Sequence, residues 1–448
     1  MKIKKVKWNN HPILKNLELD FWDTASSSCY NTVIFAGENG TGKTTILESI
    51  STFLNRGSFE FFDYIEYVVD GRVYKAVQAN HPTVKDFYKM IDDAGAETNI
   101  YSNKNNNPQQ IDENTLDIRH CGCVFSKARA DYKTEKIVST TTKTLDTEKY
   151  DNDREDNFTS LKQLIVDVQN EDTSEYAVIN EGLGSNPKPW NEFYLTSKIF
   201  RFKNAFDTFF EKLKYEKVAN SNSEKAILFK KNNNSISLDS LSTGEKQIVF
   251  RGIYLLKNNK KLDGAAIMVD EPELSMHPKW QKKILKYYQD LFTESGNQKT
   301  QIFIATHSEH VVTNALKERT KNLVVVLNEN NGAISAKKIV APSVLPSITS
   351  AETNYLAFDI ASNDYHIELY GWLQRKESKN TVKSCDTFIK GHTLYNPTIH
   401  DKHSSHGSTT YETLSTFIRN TIDHPYPSRT FTEDELRKST KLLIELCR

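Results

Sequence analysis

At the head of the chain apolar and basic positions alternate. Ile3, Val6 and Trp8 sit among lysines, the pattern of an edge strand, and Leu17 to Phe21 reads as a short strand to pair with it. The unbroken apolar run Thr32 to Ala36 predicts a buried strand. Thr45 to Leu54, with Ile46, Leu47, Ile50 and Leu54 on one face, predicts a helix. Two further strands are predicted at Phe59 to Val69 and Arg72 to Val77, around a turn at Asp70-Gly71. Helical spacing marks Leu161 to Asn170, Ser197 to Leu213 and Ile248 to Leu256. Apolar strands run from Gly264 to Asp270 and from Gln301 to His307. After Val344 the pattern changes. Pro342, Pro346 and the Ser/Thr cluster from Ser347 to Thr353 mark a boundary, followed by three predicted helices: Asn354 to Lys376, Thr410 to Asp423 and Thr432 to Cys447. The last opens on Thr432-Glu-Asp-Glu435, a capping box.

Two polar tracts interrupt the pattern. Asn99 to Asp117 is Asn-rich and Thr140 to Asn157 is Thr/Asp-rich, and both read as exposed or mobile loops. Composition narrows the classes. Lys+Arg and Asp+Glu are 58 each in 448 residues, so no global charge announces nucleic acid, and the length suits two or three domains. Five scattered cysteines read as reduced, cytosolic thiols. No apolar run is long enough to span a membrane, and the basic N-terminus has no apolar core after it, so a cytoplasmic protein without a signal peptide is expected.

Between the first buried strand and its helix lies GENGTGKT: Gly37, Glu38, Asn39, Gly40, Thr41, Gly42, Lys43 and Thr44, followed by Thr45. Glycines at this spacing let backbone N–H groups converge on phosphates, and the helix N-terminus adds positive potential. Lys43 would reach the β- and γ-phosphates of ATP, and the Thr44 hydroxyl would ligate Mg²⁺. Gly264 to Glu273 reads GAAIMVDEPE, an apolar strand that ends in Asp270-Glu271, the Walker B arrangement. Asp270 is placed to hold Mg²⁺, and Glu271 to act as general base on the attacking water. His307, at the tip of the next apolar strand, reads as a γ-phosphate sensor in this context; alone it would be an ordinary strand-end histidine.

Leu241-Ser-Thr-Gly-Glu245 completes the set. It resembles the LSGGQ signature of the ABC ATPases, and the order of phosphate loop, signature, Walker B and switch histidine is that family's order. The resemblance implies an α/β P-loop head with an inserted lobe at about residues 55–235, within a domain of residues 1–345. It implies that two heads meet head-to-tail as a homodimer or higher homo-oligomer. Ser242 and Gly244, with Glu245 beside them, would then act on the γ-phosphate of the other head, and Ser275 would face the dimer. EPELSMHP (Glu271 to Pro278) is similar to OLD and Septu-type ATPases of bacterial anti-phage systems. The match covers residues 1 to about 340 through motifs, with departures: Thr243 and Glu245 replace Gly and Gln, and no Q-loop glutamine is found. Ser126 and Arg129 stand in the corresponding order.

In the C-terminal segment, residues 346–448, Arg419-Asn-Thr-Ile-Asp-His424 resembles the HEPN ribonuclease motif. That resemblance implies an all-helical domain with a composite site in which Arg419 stabilises the scissile phosphate and His424 serves as acid/base on the 2′-hydroxyl of RNA, tRNA included, without a metal. A plainer reading stays open: Arg419 pairs with Asp423 and His424 ends the helix. The tract from His392 to His406, with His400, His403 and His406 at three-residue intervals, reads as a flexible loop with metal binding as the lesser alternative. Three functions compete: an anti-phage ATPase toxin whose head pairing licenses the C-terminal ribonuclease; a sensor ATPase that holds or releases a separate nuclease or inhibitor chain; and a DNA-repair type ATPase, disfavoured because no long heptad tract is present.

Overall fold

A computed structural model describes residues 1–79, 85–152, 158–180, 188–221 and 223–448. The chain divides into two compact units: Met1–Val311 with Arg319–Lys337, and Val312–Glu318 with Lys338–Arg448.

The first unit is built on a seven-stranded sheet. Its order is Tyr150–Asn152, Cys123–Ser126, Ala266–Asp270, Gln301–Ala305, Thr32–Gly37, Asn322–Asn330 and Ala333–Lys338. The strands from Tyr150–Asn152 through Asn322–Asn330 pair in parallel. Thr32–Gly37, Ala266–Asp270 and Gln301–Ala305 are buried along their whole length, which is why they read as continuous apolar runs. Register decides function here. Asp270 lies beside Ala305, and Ala305 beside Phe35, two residues before the end of its strand at Gly37, so the C-terminal ends of three adjacent strands open on one rim.

One face of this sheet carries the helix Lys43–Leu54 and a six-stranded antiparallel sheet that includes Lys2–Trp8, Phe62–Val69 and Arg72–Gln78. Ile3, Val6, Trp8, Ile46, Ile50, Phe53, Phe62, Ile65, Phe35 and Phe303 share the core between them. The first strand is not an edge. It lies between Glu18–Asp20 and Phe62–Val69. Its lysines reflect one solvated face, where Lys4 and Lys7 pair with Glu66 and Asp63 at 3.5 and 3.0 Å. The odd spacing of Ile3, Val6 and Trp8 is rephased by register shifts after Ile3 and after Lys7.

The inserted lobe contains Phe158–Asn180, Trp190–Thr196, Phe200–Phe209 and an antiparallel sheet of Leu213–Ser221, Glu224–Lys231 and Asn234–Ser237. The second predicted helix ends early because Leu213 and Tyr215 alternate into a strand. The polar tracts are more ordered than their composition suggests. The first contains the helix Pro108–Glu113 and ends at a fully buried pair, Asp117 and Arg119, 2.7 Å apart. The second supplies the sheet's outermost strand, Tyr150–Asn152, and its last five residues lie outside the described ones.

The second unit corrects the all-helical expectation. Ser350–Phe358, Asn363–Lys376, Val382–Gly391, Leu414–Asp423 and Glu433–Cys447 are helices. However, Asp401–His406 and Thr409–Thr413 form a β-hairpin turning at Gly407 (φ 58°). The histidine tract is therefore half helix end and half strand, and the β-branched and aromatic run Thr409-Thr410-Tyr411 prefers the pleat to the predicted helix start. Thr413 instead caps the helix that follows. The first predicted helix breaks at Asp359, which is left-handed, and restarts behind the Ser362 cap. Buried Asp386 ties the hairpin down, accepting the Glu412 and Thr413 N–H groups and the Thr413 hydroxyl. Among the described residues no helix is long and apolar enough to cross a membrane.

Candidate active site

Three backbone features shape the loop that leaves Thr32–Gly37. Gly37 (φ 136°) passes under the next strand so closely that a Cβ would meet the Leu327 carbonyl oxygen at 2.4 Å. Gly42, left-handed at φ 85°, begins the helix between Ile334 and Leu14, each within 3 Å of where a Cβ would sit. Only glycine fits either place. Thr41 donates to the Glu38 carbonyl at 2.8 Å and closes the loop on itself. Glu38, Asn39 and Gly40 are exposed at its crest, while Thr45, in the helix's first turn, is half-buried.

Lys43 is buried and donates to the carbonyls of Gly37 and Glu38 at 2.9 and 2.7 Å. Burial lowers its pKa to about 8, against the pull of Glu271, Asp270, Glu273 and Glu38. Thr44 donates to both carboxylate oxygens of Asp270 at 3.1 Å. Asp270 is itself pushed up to about 6 by burial, with Glu271 adding to the rise and the Thr44 bond opposing it. A hydroxyl and a carboxylate meeting at one point are hard oxygen donors, the set that suits Mg²⁺ completed by phosphate oxygens and water. Among the described residues no group of three or more His, Cys, Asp or Glu is arranged to hold a metal.

Glu271 is left-handed (φ 42°), a conformation that costs a residue with a Cβ about 1 kcal/mol or more. The turn holds it there: its N–H donates to the Ala305 carbonyl at 2.9 Å. Its carboxylate, about one-third exposed, faces the His307 ring with Oε1 3.7 Å from Nε2. Burial lowers the His307 pKa and Lys43 adds to that, while Glu271 and a hydrogen bond to the Gly37 carbonyl pull the other way. The net direction is downward, toward the neutral imidazole. Lys43, Thr44, Asp270, Glu271 and His307 thus lie together on one rim.

The signature residues face elsewhere. Ser242 caps the helix Thr243–Leu256, exchanging hydrogen bonds with Glu245, and Glu245 is paired with Lys231 at 2.7 Å. Gly244 lies under Ser275, where a Cβ would be 2.7 Å from the Ser275 carbonyl oxygen. Among the described contacts none joins these residues to the phosphate loop of the same chain. Ser126 ends the strand Cys123–Ser126, fully buried. In the second unit, Arg419 pairs with Asp423 at 2.7 Å and donates to the Asn420 side chain, while the His424 ring packs edge-on against His406 with centroids 5.0 Å apart. The contacts of Arg419 and His424 thus run to different neighbours.

Three residues were not singled out from sequence. Arg251, buried, donates to the carbonyls of Asp270 and Lys127 at 2.8 Å. Gln247 donates to the carbonyls of Glu271 and Pro272. Glu273 reaches the strand that carries His307. Gln247 and Arg251 are four apart, so one face of the signature helix grips the Walker B turn. That spacing was available in the sequence; the turn it meets was not.

Residues 124–312 match the family model described as an AAA ATPase domain. The chain is 35% identical over 94 residues to the "Retron Ec83 probable ATPase" of Escherichia coli, covering 19% of this chain and 16% of that protein. It is 32% identical over 108 residues to the "Retron Vc95 probable ATPase" of Vibrio cholerae serotype O1 biovar El Tor, covering 22% and 19%. The match therefore spans less than a fifth of either relative's length. Among solved structures, an SMC head bound to the C-terminal winged-helix domain of ScpA aligns at TM-score 0.41 and 14% identity, over 76% of this chain and 99% of that one. An SMC head domain from Thermotoga maritima aligns at 0.36 and 13%, over 76% and 99%.

Proposed function

We propose that the chain binds and hydrolyses ATP, that two copies pair head-to-tail around it, and that this pairing is a switch in bacterial anti-phage defence. The observation that carries the reading is the parallel register of three adjacent strands, whose C-terminal ends bring Lys43, Thr44, Asp270, Glu271 and His307 to one rim. The ATPase family match and the two retron relatives support it.

The loop's N–H groups and the start of the helix Lys43–Leu54 bind the phosphates. Lys43 exchanges its two loop carbonyls for phosphate oxygens, a charge-assisted replacement. Thr44 and Asp270 would hold Mg²⁺, which supplies charge neutralisation to phosphates that otherwise face the acids Asp270, Glu271 and Glu273. Glu271 takes the proton of the attacking water, and His307 offers a hydrogen bond to the γ-phosphate. Ser242 and Gly244, turned from their own loop, serve the partner's site. Lys43→Ala should weaken ATP binding about 100-fold or more, because a buried charge-assisted contact is lost. Isothermal titration with ATP checks this, and an unchanged affinity would exclude the loop as the nucleotide site.

The output is assigned to the second unit as a metal-independent ribonuclease using Arg419 and His424 in pairs. A second reading, in which that unit only holds a separate nuclease chain, is favoured by the Arg419–Asp423 pair, which occupies the guanidinium. RNA profiling of cells expressing wild type or Arg419→Ala decides between them. The ribonuclease reading expects cleavage products to vanish in the variant, and cleavage that persists with intact heads would leave the holding role.

A further inference from the structure

Close to the Glu271–His307 pair lies a third carboxylate. Glu273 follows Glu271 by two residues and reaches the neighbouring strand end, where its Oε1 accepts from the Thr306 hydroxyl at 2.8 Å and from the His307 backbone N–H at 2.7 Å. Its second oxygen is buried without a hydrogen-bond partner. Burial raises its pKa, while the two bonds from the next strand hold it down. Packing alone does not explain an acid kept here at that cost, since an apolar side chain would fill the space without desolvation. What the carboxylate accomplishes is local: it fixes the backbone at His307, the residue whose ring stands 3.7 Å from Glu271. The same turn is gripped from its other side by Gln247, fully buried, whose Nε2 donates to Pro272 O at 3.1 Å.

We propose that Glu273 is a positioning residue for ATP hydrolysis: by holding the Thr306-His307 strand end it sets the His307 imidazole opposite the Glu271 carboxylate. It touches neither nucleotide nor water and acts through His307. The proposal rests on the hydrolytic reading above.

The test compares Glu273→Ala, Glu273→Gln, His307→Ala and the double variant Glu273→Ala/His307→Ala in the full chain, with steady-state ATP hydrolysis and thermal midpoints. Glu273→Ala should lower kcat about tenfold or more with KM within about twofold, the split expected when geometry at the reacting centre is lost and binding is kept. Glu273→Gln should regain most of that loss, because an amide oxygen accepts the same two bonds. The double variant should be within about twofold of His307→Ala alone, since residues acting as one unit are not additive. Wild-type kcat in Glu273→Ala overturns the proposal. So does a loss that adds fully to that of His307→Ala, or one that Glu273→Gln leaves unrepaired. A wild-type chain that hydrolyses no ATP overturns the hydrolytic reading itself, and this proposal with it.

Discussion

Glu271→Gln is expected to cut kcat for ATP hydrolysis by about 10²–10⁴-fold, the range for a lost general base, with ATP affinity nearly unchanged. The division of labour between adjacent carboxylates makes this specific. Asp270 is buried and accepts both hydrogen bonds from Thr44, whereas Glu271 takes none from the loop and is about one-third exposed beside His307. An amide of the same shape keeps the left-handed turn, because the bonds to Ala305 and from Gln247 are made by the backbone. It cannot take a proton. If head pairing follows ATP binding, the variant accumulates as a dimer with ATP bound, visible by light scattering as a doubling of mass. Turnover at the wild-type rate would remove Glu271 from the role of base.

Asp270→Asn should act in opposite directions on stability and function. Burial raises the Asp270 pKa from 3.8 to about 6 in the ligand-free fold, worth about 3 kcal/mol at roughly 1.4 kcal/mol per tenfold. The folded chain then binds this proton more tightly than the unfolded chain does. Stability therefore falls as pH rises from about 4 to 6, and the cost is fully present above that. A neutral side chain that still accepts from Thr44 avoids the cost. The variant should unfold at higher urea than wild type at pH 7.5, by an amount that shrinks toward zero by about pH 4. It should also lose the extra stability that Mg-ATP confers on wild type. A variant less stable than wild type at pH 7.5 without nucleotide would contradict the assignment of Asp270 as a strained buried acid.

The motif residues were legible because each group is contiguous. GENGTGKT states its own turn geometry through its glycines, two of which, Gly37 and Gly42, leave no room for a side chain, and Asp270-Glu271 announces itself as charge at the end of an apolar run. What those residues touch was not legible. Glu273 reads as one more polar residue in a turn until the register places Thr306 and His307 beside it. Gln247 and Arg251 look like the polar face of an amphipathic helix, yet both are buried against backbone carbonyls. Element types held best where apolar spacing was long. They failed at the hairpin Asp401–Thr413, where small hydroxyl residues and histidines carry no strong period, and in the Asn-rich tract, where asparagines cap local turns instead of leaving a loop loose. The first strand was mistaken for an edge because lysines on a solvated face and lysines on a sheet margin look alike in one dimension.

The close approach of Gly37 to Leu327 and of Gly42 to Ile334 also orders events in time. Ile334 lies 290 residues after Thr44. At a synthesis rate of roughly 5–20 residues per second, about 15–60 s pass between making the loop and making the wall against which it is pressed. Until then the glycines have no backing and the loop no fixed curvature. A nascent chain is therefore expected to gain tight nucleotide binding through this loop only after residue 334 has been made, which nucleotide binding by C-terminally truncated chains would check. The same dependence defines where the chain can be cut. A fragment trimmed to residues 124–312, the stretch that matches the ATPase family, would carry the acids without the phosphate loop, and one ending at residue 312 would carry the loop without its wall.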